Sequence, residues 1–224
     1  MELIIIIATL TSGLAAVWYF WDKIKEIANN LFHSKGNILS DNFEMFEGWL
    51  TYRDGNVLHS DEIAHTGKFC LKKTGFNDPN GGIKEFKKVG RGLLFSGWLH
   101  RPSSSDGGPA DRLSIEDRDG NGYGFAIRHE EENFQIVIET RIEGAFEKNI
   151  ARATIESHFK SLRDVWYQFN FQITKANTIT LTIDCEGQRV GNISADDLRY
   201  NKFHRVAVHG GYSYFVDEIK IRRI

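Results

Sequence analysis

The chain has 224 residues, 26% of them charged, and a formal charge of −2. That length suits one domain with a sizeable core plus something small, and the near-neutral balance removes the electrostatic case for a nucleic-acid partner. Two cysteines, Cys70 and Cys185, are too few for a disulfide scaffold and read as unpaired buried thiols.

From Leu3 to Trp21 no residue is charged. That run of roughly 19 residues compares with about 20 needed to cross hydrocarbon as a helix. It ends in Trp18, Tyr19 and Trp21, rings of the kind that sit at headgroup level, and Asp22, Lys23, Lys25 and Glu26 follow. The pattern predicts one transmembrane α-helix, hence a single-pass membrane protein. A cleaved signal peptide needs a basic n-region, which Met1 and Glu2 do not supply; Gly13-Leu14-Ala15 keeps that alternative open. Lys23, Lys25 and Lys35 flank the C-terminal side, so the positive-inside rule places the large domain in the cytoplasm, with an extracytoplasmic domain as the alternative. Ala8, Ser12 and Ala16 fall on one helix face, where small residues let two helices approach; the expectation is a homo-oligomer assembled in the membrane. Ile24, Ile27, Leu31 and Phe32 continue the helical spacing. Residues 1–33 are therefore assigned to the helix and its extension, 34–38 to a linker, and 39–224 to the folded body.

The body alternates. "KFCLKK", "LLFSGWLH", "RLSIED", "YGFAIRH", "FQIVIET", "WYQFNFQIT", "TITLTIDCEG", "HRVAVHG" and "YFVDEIKIRRI" are short segments rich in β-branched and aromatic residues, divided by Gly, Asn and Asp. Many such strands without intervening helices predict an all-β antiparallel sandwich or jelly roll. "RPSSSDGGPAD", Arg101 to Asp111, reads as an exposed loop.

"EDRDGNGYGF" opens like a calcium loop, with Asp117, Asp119, Asn121 and Gly122 at positions one, three, five and six. Position twelve, where the bidentate acid belongs, is Arg128, and the flanks are strand-like. Asn121-Gly122 is also a hairpin signal through positive φ at both residues. The favoured reading is a structural turn, with a cation site as the alternative.

"DNFEMFEGW", "HTGKFCLK" and "YFVDEIKI" resemble the closing edges of carbohydrate-binding-module jelly rolls, in which first and last strands lie side by side. The middle, "DRLSIEDRDGNGYGFAI" through "VWYQFNFQITKANTITLTIDCEGQRVGNIS", resembles a concanavalin A-like or laminin-G-like domain. The resemblance covers about Leu39 to Ile224. It implies a structural calcium near the junction of first and last strands, at Glu44 and Asp217 with Asp41 nearby; no other cofactor is implied.

No catalytic constellation emerges. Glu116-Asp117-x-Asp119 fails the alternating carboxylate pattern of a retaining glycosidase, "HEEENF" reads as a solvated charge run, and Gly81-Gly82 and "VGRGLL" read as turns. Candidate ligand-binding residues are Trp49, Tyr123, His209, Tyr212 and Tyr214, with Arg101, Arg128 and Arg205 as anion contacts; Trp98 and Trp166, mid-strand, are expected in the core. Three functions stand at this point. The first is a membrane-anchored, non-catalytic recognition or assembly protein of the bacterial effector type, taking a small ligand, glycan or protein partner. The second is an extracytoplasmic glycan-binding protein with a signal anchor. The third is a divergent polysaccharide-acting enzyme.

Overall fold

The computed structural model describes residues 36–52, 56–74, 81–103, 110–129, 134–155, 163–210 and 213–224. The chain divides into two compact units between Asn37 and Ile38, and the second carries the folded body. The expected membrane helix, its Ala8, Ser12 and Ala16 stripe and the linker up to Lys35 lie outside the described residues. Among those described, no helix is long and apolar enough to cross a membrane, and all regular structure is strand.

One sheet, the back sheet, holds β1 (Asn37–Asp41), β3 (Asn56–Ser60), β4 (Cys70–Thr74), β6 (Leu93–His100), β11 (Trp166–Ile173), β12 (Thr178–Cys185), β13 (Gln188–Asp196) and β15 (Tyr214–Arg223). Its order is β13-β12-β11-β6-β15-β4-β3, and β1 pairs with β15. First and last strands are therefore neighbours, as the jelly-roll resemblance implied. The front sheet holds β2 (Trp49–Tyr52), β5 (Gly81–Gly90), β7 (Asp111–Glu116), β8 (Gly122–His129), β9 (Phe134–Ile142), β10 (Ala145–Ile155) and β14 (Lys202–Gly210), in the order β10-β9-β8-β7-β14-β5-β2.

Period-two alternation builds the core. In β11 and β12 every second side chain is buried: Tyr167, Phe169, Phe171 and Ile173 face Ile179, Leu181, Ile183 and Cys185 inward, in the register Phe169↔Ile183. From the front sheet Leu113, Ile115, Tyr123, Phe125, Ile136 and Ile138 meet them. Phe125 lies 4.9 Å from Phe169 and 5.5 Å from Phe171, ring to ring, within the range of favourable aromatic pairs. Both cysteines are free and buried, and burial pushes the Cys70 thiol up to about 12.

The front sheet is buried on its outer side as well. All of β7 is buried, and β9 is buried except at Ile142. Curvature is one reason. The Tyr52 hydroxyl, from the β2 edge, donates to the Glu143 carbonyl in the β9–β10 turn over 3.1 Å. Strands about 4.8 Å apart would leave β2 and β9 about 24 Å from each other in a flat sheet. The sheet therefore curls along its outer face into a trough, and Tyr52 spans it.

Candidate functional site

Alternation that sends Leu113 and Ile115 inward sends Arg112, Ser114 and Glu116 into the trough. Across the pairs Glu116↔Arg205 and Arg112↔His209, β14 adds Arg205 and His209; β9 adds Glu139 and Arg141. Between β7 and β9 lies β8, which offers Gly122, Gly124 and Ala126 to this face. With so little side chain there, Arg141 can lie over β8 toward β7. A Cβ on Gly124 would come within 3.3 Å of its Cδ.

Glu116 is the hub. Its Oε2 accepts two bonds from Arg205, from Nε at 2.9 Å and Nη2 at 2.8 Å, the bidentate fork that favours arginine over lysine. Its Oε1 accepts from the Ser114 hydroxyl at 2.6 Å and lies 3.1 Å from His209 Nε2 and 3.4 Å from Arg141 Nε. Arg141 Nη1 continues to Glu139 at 2.6 Å, and Arg112 Nε reaches the same carboxylate at 3.2 Å. Burial alone would raise the Glu116 carboxyl. The His209 hydrogen bond and the charges of His209, Arg141 and Arg205 outweigh it and hold the group at about 2.

Two aromatic rings stand at the trough. Tyr52 packs against the Arg205 guanidinium, 5.1 Å from its ring centre, and edge-on to His209 at 6.4 Å. Phe146, 40% exposed, packs against Arg112 at 5.9 Å.

Ser114, His209 and Glu116 are not arranged as a serine-hydrolase triad, since Ser114 and Glu116 both meet His209 at Nε2. An ionised carboxylate only accepts, so His209 Nε2 carries the proton that it shares between Glu116 and Ser114, 2.9 Å away. A nitrogen that donates cannot take the serine proton, and the Ser114 hydroxyl itself donates to Glu116. A triad needs serine and carboxylate on opposite ring nitrogens. Nor does Glu116, ionised down to about pH 2, serve as a glycosidase general acid.

The other predicted residues fall elsewhere. Trp49 is buried, its indole donating to Asp41 Oδ2 at 2.9 Å, so it is a packed anchor and no platform. Tyr123 and Tyr214 are fully buried; Tyr123 donates to Asp197 at 2.7 Å, and Tyr214 to the His209 carbonyl at 2.7 Å. Of the four candidates among the described residues only His209 is in the trough; Tyr212 lies outside them. Arg205 joins the trough and Arg128 shares its face. Arg101 is buried and bonded to Asp111 at 2.8 Å, so the ends of the "RPSSSDGGPAD" segment are core, where an exposed loop was expected.

The calcium-like segment is a turn. Asp117 Oδ1 accepts from the Asp119 and Asn121 amides at 2.9 and 2.8 Å, and its own amide donates to the Asn121 carbonyl. Gly120 takes the positive φ, +87°; Asn121-Gly122, expected to do so, does not. Glu44 accepts the Lys68 and Phe69 amides, and Asp217 those of His65 and Thr66, so both pin one loop. Among the described residues no cluster of three or more His, Cys, Asp or Glu could hold a metal. Trp98 and Trp166, expected in the core, are half-buried on the outer back sheet, where His65 stacks on Trp98 at 3.8 Å.

Sequence reasoning missed most of the trough. The available signal was polar or charged residues at alternate positions of apolar strands: Arg112, Ser114 and Glu116 in "DRLSIE", Glu139 and Arg141 in "FQIVIETRI".

No family model matches the chain. It is 38% identical over 205 residues to an uncharacterized protein of Methanocaldococcus jannaschii, a stretch covering 88% of this chain and 20% of that protein. The chain thus spans about a fifth of the length of this relative. Among solved structures it is similar to the carbohydrate binding module CBM66 from Bacillus subtilis, with TM-score 0.56 and 13% identity over 78% of this chain and 95% of that one. The CBM2 module of the evolved Dit protein of Lactobacillus casei BL23 phage J-1 gives 0.58 and 9% over 84% and 96%. The endo-beta-1,4-glucuronan lyase of Trichoderma reesei gives 0.51 and 12% over 84% and 96%. At these identities the likeness is one of fold: the described body is an antiparallel two-sheet sandwich of the architecture these modules and the lyase share.

Proposed function

We propose that the sandwich is a non-catalytic carbohydrate-recognition domain, that the front-sheet trough is its ligand face, and that an N-terminal membrane span carries it. The observation that carries this reading is the pair Tyr52 and Phe146 beside Arg205 and Arg112. A pyranose offers an apolar C–H face and a rim of hydroxyls; aromatic rings match the first, and guanidiniums and carboxylates held by one another match the second at little entropic cost. Two carbohydrate-binding modules have this fold, which raises the prior without identifying a sugar.

The test is titration of the full chain, in neutral detergent, with a panel of neutral and acidic oligosaccharides. Saturable binding to at least one is expected, weakened at least tenfold by Phe146→Ala with little change in melting temperature. No binding across the panel, or binding indifferent to Phe146→Ala and Tyr52→Phe, overturns the assignment of the trough. Turnover of any panel member revives the enzyme reading. The flanking lysines support a cytoplasmic domain; a C-terminal reporter active outside the cell would instead place the ligand among envelope glycans.

A further inference from the structure

A second site stands apart from the trough, where the sheets are joined. The segment Gly90-Arg91-Gly92 carries the chain from β5 in the front sheet to β6 in the back sheet. Two adjoining cavities, of about 550 and 220 Å³, open on either side of it and share Val89, Gly90 and Arg91 as walls. Lys88 and Lys202 line the larger; Lys175 and Arg223 line the smaller. These residues come from four parts of the chain: β5 with its crossing, the β11–β12 turn, the start of β14 and the end of β15. The fold gathers them at one place, although the sequence separates them.

The charges are unbalanced. Neither cavity wall includes an Asp or Glu side chain. Lys88, Lys175, Lys202 and Arg223 are exposed and make no ion pair or side-chain hydrogen bond among the described residues. The buried arginines Arg205 and Arg101 are by contrast matched, by Glu116 and Asp111. Like charges left facing one cavity repel, and an anion between them removes that cost.

Arg91 makes this more than a basic patch. Its Nε donates to the Thr174 carbonyl at 3.1 Å and its Nη1 to the Tyr200 carbonyl at 3.0 Å, and its guanidinium lies 5.8 Å from the Tyr123 ring centre. The fork is held in place by these two carbonyls and the ring, with no ion pair to a carboxylate among the described residues. Lys175 is positioned as well: its stem lies over Gly92, where an added Cβ would meet Lys175 Cγ at 2.8 Å. A fixed guanidinium whose charge no carboxylate offsets, beside four exposed cations, suits a tetrahedral oxyanion bearing more than one charge.

We propose that these cavities form a binding site for a phosphate-bearing anion, held by Arg91 with Lys88, Lys175, Lys202 and Arg223. Two sources share that chemistry, a soluble di- or polyphosphate and the headgroup of an acidic lipid. The full chain in neutral detergent is titrated with inorganic pyrophosphate and, separately, with short-chain phosphatidylglycerol, with short-chain phosphatidylcholine as the uncharged control. Saturable binding of pyrophosphate or phosphatidylglycerol, weakening steeply with added salt, is expected. Binding by pyrophosphate alone names a soluble ligand; binding by phosphatidylglycerol alone names a lipid headgroup. Lys88→Gln/Lys202→Gln and Lys175→Gln/Arg223→Gln change only exposed side chains and should keep the wild-type melting temperature. Each should weaken binding at least tenfold. Arg91→Lys keeps the charge and loses the fork, and is expected to bind more weakly than wild type at equal ionic strength. Absence of saturable binding to both charged probes, equal binding of phosphatidylcholine, or unchanged affinity in both double variants overturns the proposal. The trough is untouched by these variants, so saccharide binding is expected to persist in them whatever the outcome.

Discussion

Asp117 shows how one carboxylate can look like a metal ligand and act as a turn lock. Its Oδ1 already accepts two amides, and those two bonds satisfy donors that a cation would leave bare. Asp117→Ala is expected to cost about 1–2 kcal/mol, by the lost capping bonds. Asp119, whose side chain is not used in this way, should change stability by less than about 0.5 kcal/mol on conversion to Ala. Thermal unfolding in calcium and in chelator should give the same values for both; a calcium-dependent rise in melting temperature abolished by Asp119→Ala would restore the cation site. Glu116 gives the opposite lesson, since its chemistry is invisible locally. Its carboxyl sits at about 2, against an ordinary 4.5, so the folded state binds that proton less tightly than the unfolded chain does. Its stabilising effect is complete above about pH 4.5 and fades as pH falls toward 2. Glu116→Gln should be less stable at neutral pH by about 3–5 kcal/mol, because Arg205 and Arg141 lose their buried counter-charge. It should also lack the part of the acid transition between those pH values. Urea unfolding at a series of pH values checks both, and a parallel pH dependence in the two proteins refutes the hub role.

At the scale of elements, legibility followed burial. Strands that bury one face against the core announced themselves: β4, β6, β11, β12, β14 and β15 lie within predicted segments or overlap them closely, and β7, β8 and β9 do too. The strands not foreseen are β1, β2, β3, β5, β10 and β13, and for all but β1, which pairs with β15 off the main path of the back sheet, the reason is positional. β3 and β13 are the edges of the back sheet, β2 and β10 those of the front, and β5 lies next to an edge. Edge strands carry charge and polar residues to discourage further pairing, which erases the alternation used to find them. In β10 Glu147, Lys148 and Arg152 are exposed; in β5 Lys87 and Lys88 are, and its opening glycines read as a turn. Most of the trough was not legible because β7 and β9 present polar residues on a buried outer face, and their pairing depends on the curl of seven strands. Gly122 is an exacting element-level position. It lies in β8 opposite Glu116, and an added Cβ would fall 2.1 Å from the Ile115 carbonyl oxygen. That oxygen belongs to backbone, so no rotamer change relieves the clash. Gly122→Ala should force the β7–β8 ladder apart and cost more than about 2 kcal/mol. A melting temperature equal to wild type would show that the hairpin is looser than its register implies.

At the scale of the molecule, the sandwich carries its own core and the N-terminal segment carries the proposed anchor. Every buried core residue among those described lies between Phe43 and Ile221, and β1, the first strand, is paired with the last. A chain beginning at Gly36 keeps all of these and is long enough to bury a sufficient core. It should therefore unfold cooperatively, within a few degrees of the full chain. The uncharged run from Leu3 to Trp21 is proposed to insert in the bilayer and to bring copies together through Ala8, Ser12 and Ala16. Ser12→Leu tests this without touching the sandwich: Leu is at least as apolar as Ser, so insertion should persist, while its bulk should part helices that pack through small residues. In nanodiscs the Ser12→Leu protein should run as a smaller species than wild type, and the chain beginning at Gly36 should associate more weakly than the full chain in free solution. Both should retain the melting temperature of the sandwich and its affinity for saccharide, because the trough draws on no residue before Tyr52. If Ser12→Leu keeps the wild-type oligomer, or the shortened chain forms it unaided, assembly belongs to the β-sandwich and the small-residue stripe has no part in it.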